Sequence, residues 1–406
     1  MRAPITATVL GLLSCAHSPS TLDARALRAE GPAGLEALLQ KYDVASPDAQ
    51  RELVDVIAKV AGQRDAHVSR LYWYDDLDTA LARSKATRKP VLSLRMLGRL
   101  DEELSCANSR FFRTTLYANA AVSKYLRENY VLHWSSERPV PVATIDFGDG
   151  RKVTRTLTGN SIHYVLDQDG FVVDALPGLY GAQDFVTRLE RARPAAGLTP
   201  QRRAQWHRQE LAASLATFNA SLTKLWATQV DALPTLPGLD TDVAWPSSRA
   251  AVPIAVGKAI VEFPMINRLT PDDGGAQRPD TTPWSGLAQL SVRGARLDAQ
   301  ARALVLSKNP VDVTSADVPM LSEALTKQLL GKLEDAIALD GVRNEYALHP
   351  VLHRWLSENP TVSMTELNRE VYARLFLTPA SDPWLGLVPE LAWTALPNDG
   401  IEITAR

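Results

Sequence analysis

Between residues 69 and 193 the chain alternates short apolar runs with helical patterns, and no other feature restricts its fold as much. Leu71-Tyr72-Trp73-Tyr74 reads as a short aromatic strand, and Asp75-Asp76-Leu77 opens a helix that runs through Ala86. Residues 89–96 read as a strand entered at Pro90, a place where a missing N–H is tolerated. A loop carrying Asp101, Glu102 and Glu103 leads into a long helix expected over 106–128, and residues 130–134 form another apolar strand. Residues 143–157 have the alternation of a hairpin around Gly148-Asp149-Gly150. Residues 162–166 and 171–174 form a second hairpin around Asp167-Gln168-Asp169-Gly170, and a helix over 182–192 closes the unit. This order implies an α/β class with a mixed sheet flanked by helices on both faces.

The flanks differ. Residues 23–66 read as an N-terminal helical collar: Leu35, Leu38 and Leu39, then Leu53, Val56, Ile57 and Val60, recur at helical spacing, with Ser46 as an N-cap. After a linker at 193–197, residues 200–406 read as a mainly α C-terminal domain. Its amphipathic helix over 201–230 carries Trp206, Leu211, Leu215, Phe218, Leu222 and Leu225. The Pro- and Gly-rich stretch 231–290 reads as irregular, and helices are expected over 318–339, 342–358 and 366–377.

Several residues of the central unit resemble the thioredoxin-like superfamily. Tyr74-Asp75-Asp76-Leu77-Asp78-Thr79-Ala80-Leu81, followed by Lys85 and by Lys89-Pro90-Val91-Leu92, is similar to the stretch that precedes the active-site helix in one of its branches. Tyr164-Val165-Leu166-Asp167, Asp169-Gly170 and Val172-Val173 resemble the last hairpin of the family. The likeness covers residues 69–193, under half of the chain, and implies a thioredoxin-like mixed sheet there.

It also singles out Ser105-Cys106-Ala107-Asn108-Ser109, where the family's paired cysteines become Cys106-x-x-Ser109. With Ser105 as N-cap, Cys106 falls in the first turn of a helix, where free N–H groups and the helix dipole favour a thiolate. Ser109 could donate a hydrogen bond to it, and Arg110, Arg113 or Arg99 could add positive charge, while the acids at 101–103 oppose it. A lone thiolate can form a mixed disulfide but needs a second thiol to release it, which suits exchange or sensing with a protein or a low-molecular-weight thiol or disulfide. Where the family has a cis-proline, this chain has Asn160-Ser161, and a trans bond is expected there. His163 is expected to be a hydrogen-bonded sheet residue, with a base near the thiol as the alternative. Two readings of Cys106 stay open: monothiol disulfide exchange, with Cys106 and Ser109 as the working pair, or an inert buried thiol in an interaction scaffold without catalysis.

The chain has two cysteines, Cys15 and Cys106, too few for a disulfide framework. One positive charge, a short apolar run over 5–13 and Leu12-Leu13-Ser14-Cys15 resemble a lipoprotein signal peptide over 1–15. That resemblance implies lipidation of Cys15 and an envelope protein that faces the periplasm from the outer membrane, while Ser14-x-Ala16 leaves ordinary cleavage open. A net charge of −2 with scattered Lys and Arg gives nucleic acid no electrostatic footprint. No cofactor is expected. Glu345, His349 and His353 have metal-ligand spacing on a helix, but Pro350 is expected to break it, so a metal site is not expected. Asp167-x-Asp169-Gly170 is a hairpin turn, and Ser221-x-x-Lys224 lies inside an amphipathic helix.

Overall fold

The computed structural model describes residues 23–226, 283–308, 323–385, 387 and 395–402. The candidate signal segment and Cys15, most of 231–290, and residues 318–322 lie outside the described residues.

A mixed five-stranded sheet forms the centre. Its strands are β1 (Trp73–Tyr74), β2 (Val91–Leu97), β3 (Val131–Arg138), β6 (Ile162–Leu166) and β7 (Val172–Pro177), in the order β1-β3-β2-β6-β7. β1 and β2 run parallel to β3, whereas β6 is antiparallel to β2 and to β7. Only Arg95 of β2 is less than fully buried, and β6 and β7 are buried throughout. That explains why these strands read as apolar runs rather than as alternating patterns. Helix α5 (Leu77–Thr87) is capped by Asp76, whose carboxylate accepts from the Thr79 N–H at 2.8 Å. Between β3 and β6, the strands β4 (Val142–Asp146) and β5 (Lys152–Thr156) form a separate two-stranded sheet with Val142, Ile145 and Phe147 exposed.

The single helix expected over 106–128 is divided. Helix α6 (Ala107–Phe111) runs into a π-helical turn (Phe112–Leu116), and the chain restarts as α7 (Ala120–Asn129). Asn119 makes the break: its side-chain oxygen accepts from the Ala121 and Val122 N–H groups at 3.0 and 3.1 Å, an N-cap that ends one helix by starting another.

The collar has three helices and a short fourth one of a single turn: α1 (Ala24–Ala29), α2 (Pro32–Val44), α3 (Pro47–Ala61) and α4 (Ala66–Ser69). Ser46 caps α3 as expected. Leu35, Leu38, Leu39, Ile57 and Val60 form a core of their own, and Gln63 ties it to the sheet by accepting from the Trp73 indole N–H at 2.7 Å.

After β7, α8 (Ala182–Ala195) runs into the expected linker with Pro194 in its last turn, and α9 (Pro200–Trp226) follows almost at once. Trp284, expected in an irregular stretch, begins α10 (Trp284–Ser291), and α11 (Ala299–Ser307) comes next. The expected pair of helices over 318–358 is one run: α12 (Glu323–Arg343), a π turn (Asn344–Leu348) and α13 (His349–Glu358). Helix α14 (Met364–Glu370) ends in a third π turn (Val371–Leu375). Phe218, Leu222, Trp284, Ile337, Leu352, Leu367 and Tyr372 join Val165, Val173 and Leu176 of the sheet in one apolar core.

Candidate functional site

Cys106 sits where the end of β2 turns into α6. Its N–H donates to the Leu97 carbonyl at 3.2 Å, and it is itself the N-cap residue, so Ser105 does not cap the helix. The sulfur faces Ser161 across the loop before β6, with Sγ and Oγ 3.1 Å apart. No cis peptide bond occurs among the described residues, in line with the trans bond expected at Asn160-Ser161. Sequence reasoning therefore found the right opposing loop and gave the hydrogen bond to the wrong serine. Ser109 Oγ donates instead to Ser105 Oγ at 2.6 Å and lies 2.9 Å from the Cys106 carbonyl, the local back-bonding that a hydroxyl finds on a helix.

The charges named from the sequence point elsewhere. Arg110 donates to Thr156 Oγ1 at 2.9 Å, and Arg99 pairs with Asp101 and Glu102. Buried Arg113 lies 3.9 Å from both Asp65 and Glu103. Glu103 is held by Arg64 and Lys308, so it does not act on the sulfur as a lone negative charge.

Cys106 is fully buried, at 0% exposure. The loop opposite is covered by the chain's own C-terminal part: the Tyr372 hydroxyl donates to the Asn160 carbonyl at 2.9 Å, and Tyr164 donates to Asn368 Oδ1 at 3.1 Å. Gly159, at φ +103°, closes the approach, since a Cβ there would lie 3.0 Å from that of Cys106. The side-chain amides of Asn108 and Asn160 are buried with no hydrogen-bond partner among the described residues.

His163 is the sheet histidine that was expected. Its Nε2 lies 2.6 Å from the Tyr117 hydroxyl, and its ring packs between Phe112 and Phe185. Burial pushes its pKa down to about 3, which keeps the ring neutral.

A second polar cluster lies between the sheet and the C-terminal helices. Pro350 falls in the first turn of α13, which begins at His349 directly after the π turn, so the proline starts a helix rather than interrupting one and its missing N–H costs nothing there. Glu345, His349 and His353 therefore do converge. His349 Nδ1 is 3.4 Å from Glu345 Oε2, and the rings of His349 and His353 are 4.1 Å apart. Two residues missed from the sequence complete the cluster, Asp174 of β7 and His207 of α9. His349 Nε2 is 3.0 Å from Asp174 Oδ1, and His207 Nδ1 is 2.9 Å from His353 Nδ1. Asp174, His207, His349 and His353 are nearly or wholly buried. No spacing could have signalled this, because the residues come from three elements; His207 beside Trp206 reads as one more position on an amphipathic helix.

The protonation pattern follows from the contacts. Burial opposes a charge on His349, but the carboxylates of Asp174 and Glu345 outweigh it and raise its pKa to about 9. Burial pushes Asp174 up, and the adjacent His349 more than reverses this, holding the carboxyl below its ordinary range. Burial, then the neighbouring His349, drives His353 well down, and burial takes His207 to about 4. No family model, curated protein or solved structure matches this chain, so its function has to be argued from these two clusters and the fold that holds them.

Proposed function

We propose that residues 69–193 form a thioredoxin-like fold that serves as a non-catalytic interaction scaffold at the cell envelope, with Cys106 as a structural thiol. The strand order β1-β3-β2-β6-β7, parallel on one side of β2 and antiparallel on the other, supports the fold. The complete burial of Cys106 beneath a part of the chain that hydrogen-bonds to the facing loop carries the function. A disulfide substrate has to reach the sulfur in line, and here Gly159, Ser161 and the residues around Tyr372 occupy that approach. The surface this reading offers to a protein partner is the β4–β5 hairpin, whose exposed Val142, Ile145 and Phe147 belong to none of the apolar cores among the described residues. Lipidation of Cys15 would hold the scaffold on a membrane.

The test is the rate at which Cys106 is alkylated, read in a Cys15→Ser background that leaves one thiol. The scaffold reading expects labelling of the native protein to be slowed roughly a hundredfold or more against the unfolded chain, because reaction must wait for local opening. Rapid labelling of the folded protein, with an apparent pKa below about 8.5, would instead mark a reactive thiolate.

A second reading has its own observation. The hydroxyl of Ser161 faces the thiol, and the side chains of Asn108 and Asn160, close to Cys106 and Ser161 in sequence, are buried without a hydrogen-bond partner among the described residues, polar groups that an inert sulfur does not need. Under it, Cys106 performs monothiol exchange once the C-terminal cover lifts. Tyr372→Ala separates the two: accelerated alkylation accompanied by turnover of a small disulfide supports gated exchange, and accelerated alkylation without turnover supports the scaffold.

A further inference from the structure

We propose that Asp174, His207 and His353 form a binding site for one divalent transition-metal ion of the zinc class, a site separate from Cys106. Each residue offers one ligand atom, and the three atoms lie within 4.8 Å of one another. His207 Nδ1 and His353 Nδ1 are 2.9 Å apart, and His353 Nδ1 is 4.0 Å from Asp174 Oδ1. Tetrahedral ligands held about 2.0–2.1 Å from zinc stand about 3.3 Å from one another, so these separations bracket what such an ion requires. Two imidazoles and a carboxylate are also the donor set that suits zinc and its neighbours rather than calcium or magnesium.

The surroundings fit the same reading. His349 Nε2 lies 3.0 Å from Asp174 Oδ1, and His349 is itself backed by Glu345, which Arg188 holds at 2.5 Å. A chain of this kind orients a metal-binding carboxylate and fixes its charge. His207 turns Nδ1 towards the cluster, and its Nε2 is buried with no hydrogen-bond partner among the described residues. Without an ion, the facing Nδ1 atoms of His207 and His353 must share one proton, and both rings remain nearly or wholly out of water. With an ion, both Nδ1 lone pairs are used, and the shared proton moves by way of solvent to the Nε2 of the same ring. The ligands come from β7, α9 and α13, so the ion would pin two C-terminal helices to the edge of the sheet.

The experiment uses the full chain, purified without a histidine tag, together with Zn2+ and Co2+. The expected result is one equivalent of bound Zn2+, a melting temperature lowered by a strong chelator and restored by Zn2+, and visible ligand-field bands of four- or five-coordinate Co2+. Cys106→Ser should leave all three unchanged, which separates this site from the thiol. His207→Gln and His353→Gln should lose the stoichiometric ion, and His349→Gln should weaken binding about 10–100-fold as a positioning residue. The folded wild type decides the matter if these buried variants do not fold. Failure to take up stoichiometric Zn2+ or Co2+, whether added after folding or during refolding, with a melting temperature indifferent to chelator, would overturn the proposal and leave a hydrogen-bonded histidine cluster.

Discussion

His133 on β3 and His163 on β6 flank β2 in the sheet with their rings withdrawn from water, His133 lying 2.8 Å from Ser93 Oγ and His163 against Tyr117. Burial pushes their pKa values to about 4 and about 3, against about 6.5 in an unfolded chain. Both are therefore neutral in the native protein near neutral pH, while the unfolded chain binds protons below about pH 6.5 that the native state does not. Stability should be at its full value above that pH and fall as the medium is acidified towards about 4, by up to ~1.4 kcal/mol per pH unit for each histidine. Urea unfolding across this range checks it. Replacing the bonded pair together, Tyr117→Phe with His163→Phe, should flatten the slope, and an undiminished slope would mean that other groups set it. The residue scale is also where sequence reading fared most unevenly. Ser161 was legible through the resemblance, which sets Asn160-Ser161 where the family's proline faces the active-site sulfur. Ser109 was not, because a hydroxyl inside a helix prefers the backbone behind it to a sulfur one turn away.

Elements were legible where burial or a cap made a local signature, and illegible where a packing demand overrode it. Asp76 and Ser46 cap the helices they were read to cap, and both hairpins turn where their Gly and Asp residues fall. The break at Asn119 was hidden because apolar residues continue on both sides at helical spacing. The π turn that joins α12 to α13 just before Pro350 was hidden because such a turn has no sequence mark comparable to a glycine cap. Gly159 is a turn position with an energetic consequence. Its φ of +103° and the 3.0 Å approach of Cys106 and 3.3 Å approach of Leu97 leave no room for a methyl group. Gly159→Ala should destabilise the protein by about 1–3 kcal/mol in equilibrium denaturation. A neutral substitution would show that the loop over the thiol can relax, and would weaken the case that the thiol is sealed.

At the scale of the whole molecule, the sequence divided the chain by changes of pattern. The sheet, the collar and the helical C-terminal half all appear in the expected order. What periodicity could not convey is that the C-terminal helices share the core of the sheet and lie against its loops, since contacts such as Tyr372 with Asn160 join residues 212 positions apart. The envelope reading belongs to this scale too. Cells given labelled palmitate should incorporate it into the wild-type chain and not into Cys15→Ser, and incorporation into neither would leave an ordinary cleaved leader as the account of residues 1–16. The cover over Cys106 also has a consequence in time. Tyr372 is made 266 residues after the thiol it helps to enclose, an interval of roughly 13–50 s at about 5–20 residues per second. Throughout that interval an emerging chain carries a bare thiol with no lid yet synthesised. An oxidant that reached it then would leave a bulky adduct in the space that the last residues are meant to fill, so the vulnerable moment for this protein is its birth rather than its working life.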